Sequence, residues 1–343
     1  MAKIKPFYGV RPAADKILDV ASPPYDVLNS AEAREEVKGK PHSFLHVVKP
    51  EVDLPVDIDL YSEDVYQKGR ENLYKMLNEG VLIQDDKPCF YLYRLVMGDI
   101  DQIGLVVGAS IEDYEKGIIK KHEHTRAVKE ADRIKHVDTL NANTGPVFLT
   151  YRARKDINEI VDEVIKENPL YDIETEDEIK HIFWKIDQQN DIEKILSIFS
   201  DIDFLYVADG HHRSASGTKV GKTRREANSA HTGEEEYNYF LSVIFPDNQL
   251  YIMDYNRVVK DMHGNSVEDF LEKAAENFDV KVHSKTEGYS PNKLHNFGMY
   301  LDGTWYSLTA KDGTFDENDP VKSLDVAILQ DNLLNPILGI GDP

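Results

Sequence analysis

The chain has 343 residues, which exceeds a typical single domain and predicts two or three modules. Its 40 Lys and Arg against 62 Asp and Glu give a net charge of −22, which argues against duplex nucleic acid as a partner because that affinity depends on neutralising phosphates. The single cysteine, Cys89, excludes an intrachain disulfide framework, and no apolar run approaches the roughly twenty residues of a membrane helix. Since the N-terminus also lacks the apolar stretch of a signal peptide, we expect a cytoplasmic protein with no membrane partner.

The first hundred residues predict a mixed α/β region. Pro23 and Pro24 predict a rigid turn over residues 21–27, since each proline fixes its own φ and restricts the residue before it. Asn29 is predicted to cap a charged helix near residues 31–38. The other predicted elements are a strand, a loop and a helix, at residues 42–48, 50–59 and 61–79.

Strand and helix patterns then alternate up to residue 260. Gly98 and Asp99 give the turn signal between the first two strands. Residues 216–236 are polar and contain glycine, which predicts a mobile loop or a frayed helix. The predicted strands lie at residues 89–97, 103–111, 146–151, 179–186, 203–208, 237–245 and 249–259. The predicted helices lie at residues 156–167 and 191–199.

The last part of the chain predicts one helix and two strands, at residues 266–277, 298–301 and 304–309. The whole chain is therefore predicted to be an α+β (mixed α/β) protein. We expect three regions, an N-terminal α/β region, a phosphate-binding domain and a C-terminal α/β region, over residues 1–100, 101–260 and 261–343.

The most informative stretch is a short apolar segment, residues 204–208, followed by Asp209 and Gly210. It predicts a buried strand that leads directly into a helix. A helix start leaves backbone N–H groups unpaired at the positive end of the helix dipole, and such a site attracts phosphate. The residues predicted to bind phosphate here are Asp209, Gly210, His211, His212 and Arg213. A plain strand-to-helix turn is the alternative.

A second cluster of charged and imidazole side chains lies at residues 120–126. Glu123 stands there between His122 and His124, with three cations close by in the sequence. A carboxylate in such a setting can serve as a general base, and the cations favour its ionised form. A solvent-exposed charged loop is the alternative interpretation of this segment.

Arg133 is a third candidate, as a phosphate clamp, and the polar turn at residues 141–146 offers amide donors. A plain loop before the next strand is the favoured interpretation of that turn. Two basic runs, residues 116–136 and 209–225, each carry a local charge of +4. Because charge is screened over about 8 Å at physiological salt, these runs predict an anion site despite the overall acid excess.

Two other motifs are disfavoured. Residues 217–223 resemble a P-loop, but only three residues separate the glycines and no strand leads into them. A zinc site would need His122, His124, His211 and His212, whose spacings make poor chelates without further ligands.

The pairing of residues 120–125 with residues 207–213 resembles a large bacterial and archaeal family, domain of unknown function 1015. Residues 23–27 and 143–147 also fit that family, so the resemblance covers essentially the whole chain. Members usually continue further, which implies that a C-terminal portion is absent after Pro343.

The same two motifs resemble those of free L-serine kinases, in the superfamily of ParB and sulfiredoxin, over about residues 103–220. This resemblance implies a ParB/sulfiredoxin-like central domain in which Glu123 is the base and the turn at 209–213 holds nucleotide phosphates. The two motifs lie 86 positions apart, which implies an insertion between them. Sulfiredoxin chemistry is excluded because this turn has no cysteine.

We therefore expect a phosphotransferase that moves a nucleotide phosphoryl group to a small hydroxyl substrate, with free L-serine as a candidate. The expected cofactors are ATP or ADP and Mg²⁺, with Asp209 as a candidate ligand of the metal. The predicted catalytic residues are His122, Glu123 and Arg126, and the predicted phosphate-binding residues are Arg133 and residues 209–213. The alternative is a nucleotide-binding regulatory or partner-binding protein without a catalytic step. The acceptor, the nucleotide base and the oligomeric state stay open.

Overall fold

The computed structural model describes residues 1–123, 125–254 and 256–341. The chain forms two compact units, Met1–Ile252 (unit 1) and Met253–Pro343 (unit 2). The three regions predicted from the sequence are a finer division and stay a prediction. The β-hairpin of residues 90–110 runs across the boundary expected near residue 100.

Unit 1 contains a large mixed sheet and a small two-stranded one. Its strands are β1 (Ile4–Lys5), β2 (Val10–Pro12), β3 (Leu82–Gln84), β4 (Phe90–Met97), β5 (Ile100–Ser110), β6 (Ile119–Lys120), β7 (Val147–Tyr151), β8 (Tyr171–Glu174), β9 (Lys180–Ile186), β10 (Leu205–Asp209) and β11 (Tyr239–Pro246). The strand order of the large sheet is β6-β10-β7-β11-β5-β4-β9-β8, and β1 pairs with β5. The pairs β6–β10 and β7–β11 are parallel, and the other pairs are antiparallel. The fold is therefore α+β, as the sequence predicts.

The helices of unit 1 lie between these strands in the chain. They are α1 (Ile17–Val20), α2 (Ser30–Glu36), α3 (Leu45–Val48), α4 (Glu63–Asn78), α5 (Ile111–Glu115), α6 (Ala127–Leu140), α7 (Lys155–Val164), α8 (Gln189–Phe199) and α9 (His211–Ala227). Short 3₁₀ turns lie at Pro50–Asp53, Glu236–Asn238 and Asp247–Gln249. None of the helices that the structure describes combines the length and the apolar character needed to cross a membrane.

The two faces of the large sheet belong to two different apolar clusters because side chains alternate along a strand. Phe90 and Leu92 of β4 join the main core, which also contains apolar residues of α7 and α8. Cys89 and Tyr91 point the other way and join a second cluster with Phe245. Cys89 is fully buried, and its thiol donates a hydrogen bond to the Lys87 carbonyl at 3.2 Å.

Unit 2 has its own core, built from a helix, a three-stranded sheet and the last turns of the chain. Its elements are α10 (Val267–Asn277), β12 (Phe278–Ser284), β13 (Asn296–Leu301), β14 (Thr304–Ala310), α11 (Asp325–Leu329), a π-helical turn (Gln330–Leu334) and α12 (Asn335–Leu338). The strand order is β12-β14-β13, and all pairs are antiparallel. Ser266 caps α10 through a reciprocal capping box with Asp269.

Three sequence predictions are wrong in unit 1 and at its end. Residues 42–48 contain helix α3 rather than a strand, and no strand is present at residues 249–254 or 256–259 of the described chain. Residues 216–236 were predicted as a mobile loop or a frayed helix, but residues 216–227 belong to the continuous helix α9, and only residues 228–235 lie outside helices and strands. The buried residues Ser214, Ser216 and Gly217 show why, since small side chains let this helix pack closely.

Candidate functional site

The site begins where β10 ends and α9 starts. β10 shifts its register against β7 between Val207 and Asp209, a bulge that ends the regular pairing. Gly210 then has φ +93°, and a Cβ atom at this position would lie 3.4 Å from the Val147 Cα. Both the left-handed conformation and the close approach explain why the turn uses glycine.

The N-terminus of α9 presents unpaired backbone donors. The first intrahelical bond runs from the Ser214 N–H to the Gly210 carbonyl at 2.9 Å. The N–H groups of His211, His212 and Arg213 precede it and have no intrahelical acceptor. Because α9 has 17 residues, its dipole adds positive potential at the same point.

The structure brings the two sequence motifs together. The His122 and His211 rings meet edge to face with centroids 4.4 Å apart. The Glu123 Oε2 lies 3.5 Å from the His211 Nδ1. The backbone N–H of Arg126 donates to the His212 Nε2 at 3.1 Å. The carboxylate of Glu123 therefore stands at the start of α9, although the two segments are far apart in the sequence.

His211 is the buried centre of this contact. Its side chain is 5% exposed, whereas the Glu123 side chain is 59% exposed. Burial, and then the neighbouring His122, lower the pKa of His211 below its usual 6.5, while Glu123 acts in the opposite direction. Its Nε2 is buried and has no hydrogen-bond partner among the described residues. The neutral imidazole is therefore the favoured form, with Glu123 facing its Nδ1.

Arg213 is held by groups of the protein itself. Its guanidinium donates to the Asp209 Oδ2 at 2.6 Å and to the Pro146 carbonyl at 2.5 Å. A second carboxylate, from Asp26, lies 3.8 Å away. Two carboxylates therefore neutralise the cation that the sequence predicts as a phosphate clamp.

Arg133 reaches the same place from α6. Its guanidinium contacts the neighbouring Asp132 at 2.7 Å and lies over the Tyr25 ring, 4.5 Å from the centroid. Burial raises the pKa of Tyr25, so this phenol stays neutral beside the cation. A small cavity of about 30 Å³, lined by residues that include Arg133 and Arg213, joins the two guanidinium groups.

Two parts of this site were not expected from the sequence. Tyr25 and Asp26 come from the turn at residues 21–27, for which only its rigidity was predicted. Asn143, Thr144 and Gly145 line the small cavity, although the turn that contains them is interpreted above as a plain loop. The signal for both was their match to the family motifs, since neither segment carries a charge cluster.

The disfavoured motifs can now be placed. Residues 217–223 lie inside α9, so they cannot wrap a phosphate as a P-loop does. His122, His211 and His212 lie close together, whereas His124 lies outside the described residues. Over residues 1–123, 125–254 and 256–341, no group of three or more His, Cys, Asp or Glu side chains is placed to hold a metal ion.

A larger cavity elsewhere in unit 1 has the wrong charge for an anion. It has a volume of about 510 Å³ and lies between α7 and α8. Its charged lining side chains are mostly acidic, namely Asp156, Glu159, Glu163 and Asp191, with Lys194 as the cation. None of the predicted site residues contributes to it.

Comparison with known proteins identifies the family but not the activity. A protein-family model described as Protein of unknown function (DUF1015) matches residues 4–327. Neither a curated protein nor a solved structure matches the chain. The resemblance to free L-serine kinases and the roles of the site residues therefore stay predictions.

Proposed function

This chain belongs to the family described as Protein of unknown function (DUF1015), and we propose that it is a nucleotide-dependent phosphotransferase acting on a small hydroxyl substrate, with free L-serine as the candidate acceptor. The observation that supports this most strongly is the position of the Glu123 carboxylate, 3.5 Å from His211 at the first turn of α9. A potential base and a helix N-terminus suited to phosphate thus share one surface.

The phosphates would be held by the N-terminus of α9 and by two arginines. Phosphoryl transfer depends on positioning and charge neutralisation, which backbone amides and guanidinium groups supply. The small cavity between Arg133 and Arg213 has a volume of about 30 Å³, far below the roughly 300 Å³ at which small-molecule sites begin. A phosphoryl group needs more room, so it would replace the Asp209 carboxylate at Arg213.

The base in this proposal is Glu123. It would accept the hydroxyl proton of the acceptor while the acceptor oxygen forms its bond to phosphorus and the bond from phosphorus to the leaving phosphate oxygen breaks. The neutral His211 places no positive charge against the carboxylate at that moment. His122, whose ring contacts His211, would limit the movement of Glu123.

A bound Mg²⁺ would supply positive charge that neutralises the nucleotide phosphates. Magnesium sites of nucleotide enzymes commonly use one or two carboxylates together with phosphates and water. Asp209 and Asp26 both flank Arg213 and fit that donor set.

The test of the proposal is turnover with ATP or ADP as donor and a panel of hydroxy amino acids as acceptors. Glu123→Gln is expected to reduce kcat by about 10²- to 10⁴-fold, since it removes the proton acceptor and keeps the side-chain shape. The matched control is Glu159→Gln, an exposed glutamate on α7, which should leave turnover unchanged.

Two outcomes would contradict this assignment. If Glu123→Gln turns over as fast as the wild type, Glu123 is not the base. If the wild type binds nucleotide, releases no product with any acceptor, and loses binding in Arg213→Ala, the non-catalytic nucleotide-binding alternative is correct.

A further inference from the structure

We propose that a second cavity of unit 1, the aromatic cleft, binds the nucleobase and ribose of the nucleotide whose phosphates the α9 N-terminus holds. This inference rests on the proposed function and adds the place of the nucleoside. The aromatic cleft has a volume of about 470 Å³, within the range of small-molecule sites. Its walls include Tyr8, Asn143, Gly217, Tyr237, Tyr239 and Phe240.

The aromatic cleft adjoins the small cavity between Arg133 and Arg213. Val137 and Asn143 line both the cleft and the small cavity that contains Arg133 and Arg213. Along α9, Arg213 and Ser216 face the small cavity, and the following turn faces the cleft through Gly217, Val220 and Gly221. At 1.5 Å per residue, the step from Arg213 to these residues is about 6 to 12 Å, which suits a ribose and one phosphate between base and clamp.

The lining chemistry suits a base. Aromatic side chains provide stacking surfaces, and stacking of one base on one ring strengthens binding by about 5- to 100-fold. Tyr8 is 47% exposed, so much of its side chain is available to a ligand. The Asn143 amide offers both a donor and an acceptor, and it makes no hydrogen bond to any described residue.

The charge of the lining suits a neutral occupant. Among the described residues that line the cleft, Arg224 is the one cation. Its guanidinium is already paired with the Asp138 carboxylate at 2.8 Å and with the Asn141 side-chain oxygen. The cleft lining also contains the carboxylate of Glu236, so its two charges have opposite signs. Among the described residues, the small cavity is lined by two guanidinium groups and by no carboxylate, although each guanidinium is also paired with an aspartate outside the lining.

The experiment compares ligands that contain or lack the nucleoside, by titration calorimetry with Mg²⁺ present. The ligands are ATP, ADP, adenosine and inorganic tripolyphosphate. For the wild type we expect ATP to bind at least about fivefold more tightly than tripolyphosphate, because stacking of one base contributes at least about that factor. Adenosine should bind weakly and compete with ATP.

Two variants test the cleft directly. Tyr8→Ala removes a stacking ring and is expected to weaken ATP about 5- to 100-fold without changing tripolyphosphate. Val10→Trp places a large ring into the cleft from a residue that is 47% exposed, and it should have the same effect. The matched control is Tyr61→Ala, which removes an equally exposed tyrosine outside the cleft and should change neither affinity.

The possible failures are distinguishable. If ATP binds and both cleft variants retain wild-type affinity, the nucleoside lies elsewhere and this inference is wrong while the phosphotransferase proposal stands. If tripolyphosphate binds as tightly as ATP, the cleft makes no contribution and the inference is equally wrong. If neither ligand binds the wild type, both the proposed function and the inference fail.

Discussion

At the level of single residues, the candidate site sets the buried imidazole of His211 against the exposed carboxylate of Glu123. The residue types in 120–126 and 209–213 were sufficient to predict an anion site with a carboxylate nearby. Nothing in the sequence shows that His211 is 5% exposed while Glu123 is 59% exposed, because burial depends on which other segments pack there. The internal pairing of Arg213 with Asp209 and Asp26 was likewise not predictable, since Asp26 comes from a distant turn.

His136 makes the clearest prediction about pH. It lies on α6 beside the small cavity, is 2% exposed, and its Nε2 donates to the Val47 carbonyl at 3.1 Å. Burial, and then Arg133, lower its pKa from 6.5 to about 4. In the unfolded chain it takes up a proton below pH 6.5, whereas in the folded protein it does so only below about pH 4. Above pH 6.5 the histidine is neutral in both states, so its titration does not change the free energy of unfolding. Below pH 6.5 the unfolded chain binds the proton first, and the free energy of unfolding decreases.

When the pH is lowered from 7 to 4.5, we expect the titration of His136 to decrease the free energy of unfolding by about 2 to 3 kcal/mol. Urea unfolding at the two pH values measures this change. In His136→Gln, which keeps a donor for the Val47 carbonyl, the decrease should be smaller by that amount. Equal decreases in the two proteins would show that His136 does not titrate as its burial implies.

At the level of elements, long periodic helices and hairpins were predictable, and short apolar runs were not. α4, α10 and the β4–β5 hairpin lie close to their predicted positions because their patterns and turn residues agree. Residues 42–48 were read as a strand, but a short apolar run does not distinguish a strand from one turn of buried helix such as α3. In residues 249–259, Ile252 is 90% exposed and Val258 is 99% exposed. The apolar character of Ile252 and Val258 therefore indicated neither a buried position nor pairing in a β-sheet.

α9 was misjudged because its composition disfavours a helix in isolation. Serine, threonine and glycine have low helix propensity, yet here they form the buried side of a 17-residue helix. A Cβ atom on Gly221 would lie 2.2 Å from the Tyr237 carbonyl oxygen and 2.7 Å from the Ile111 Cδ1. Close packing thus selects small residues that propensity alone would exclude.

Gly221→Ala should therefore act against the usual rule for helices. Replacing a glycine in a helix interior by alanine normally increases the free energy of unfolding by about 1 kcal/mol. Here the added methyl meets backbone atoms, and we expect the free energy of unfolding to fall by about 2 kcal/mol. Thermal or urea denaturation measures the change.

The control for this substitution is Thr223→Ala, at an exposed position of α9. Its hydroxyl donates to the Lys219 carbonyl one turn earlier, an arrangement that does not strengthen a helix. We expect its effect to stay within about 0.5 kcal/mol. If Gly221→Ala stabilised the protein, α9 would not pack against residues 236–238 as described.

At the level of the whole molecule, the sequence predicted the α+β fold class, whereas the division into two units became visible only in the structure. The α+β class followed from mixed patterns along the chain. The boundary of the two units, after Ile252, falls inside a segment that the sequence predicted as a strand. The net charge of −22 also conceals the local arrangement, in which Arg133 and Arg213 stand together in a largely acidic protein.

The buried thiol of Cys89 allows the local opening of unit 1 to be measured by its rate of alkylation. It is the one cysteine of the chain and lies at 0% exposure beside β4, so a thiol reagent can reach it only after that part of the sheet opens. We expect its alkylation, followed by mass spectrometry, to be at least about 10³-fold slower in native buffer than in denaturant. Saturating ATP should slow it further if the nucleotide binds the folded unit.

Rapid alkylation in native buffer would mean that the sheet around Cys89 opens readily. Because Cys89 is the one cysteine of the chain and lies in unit 1, the alkylated peptide always comes from unit 1. A single native sulfur atom therefore reports the rate at which the sheet around it opens, without any introduced label.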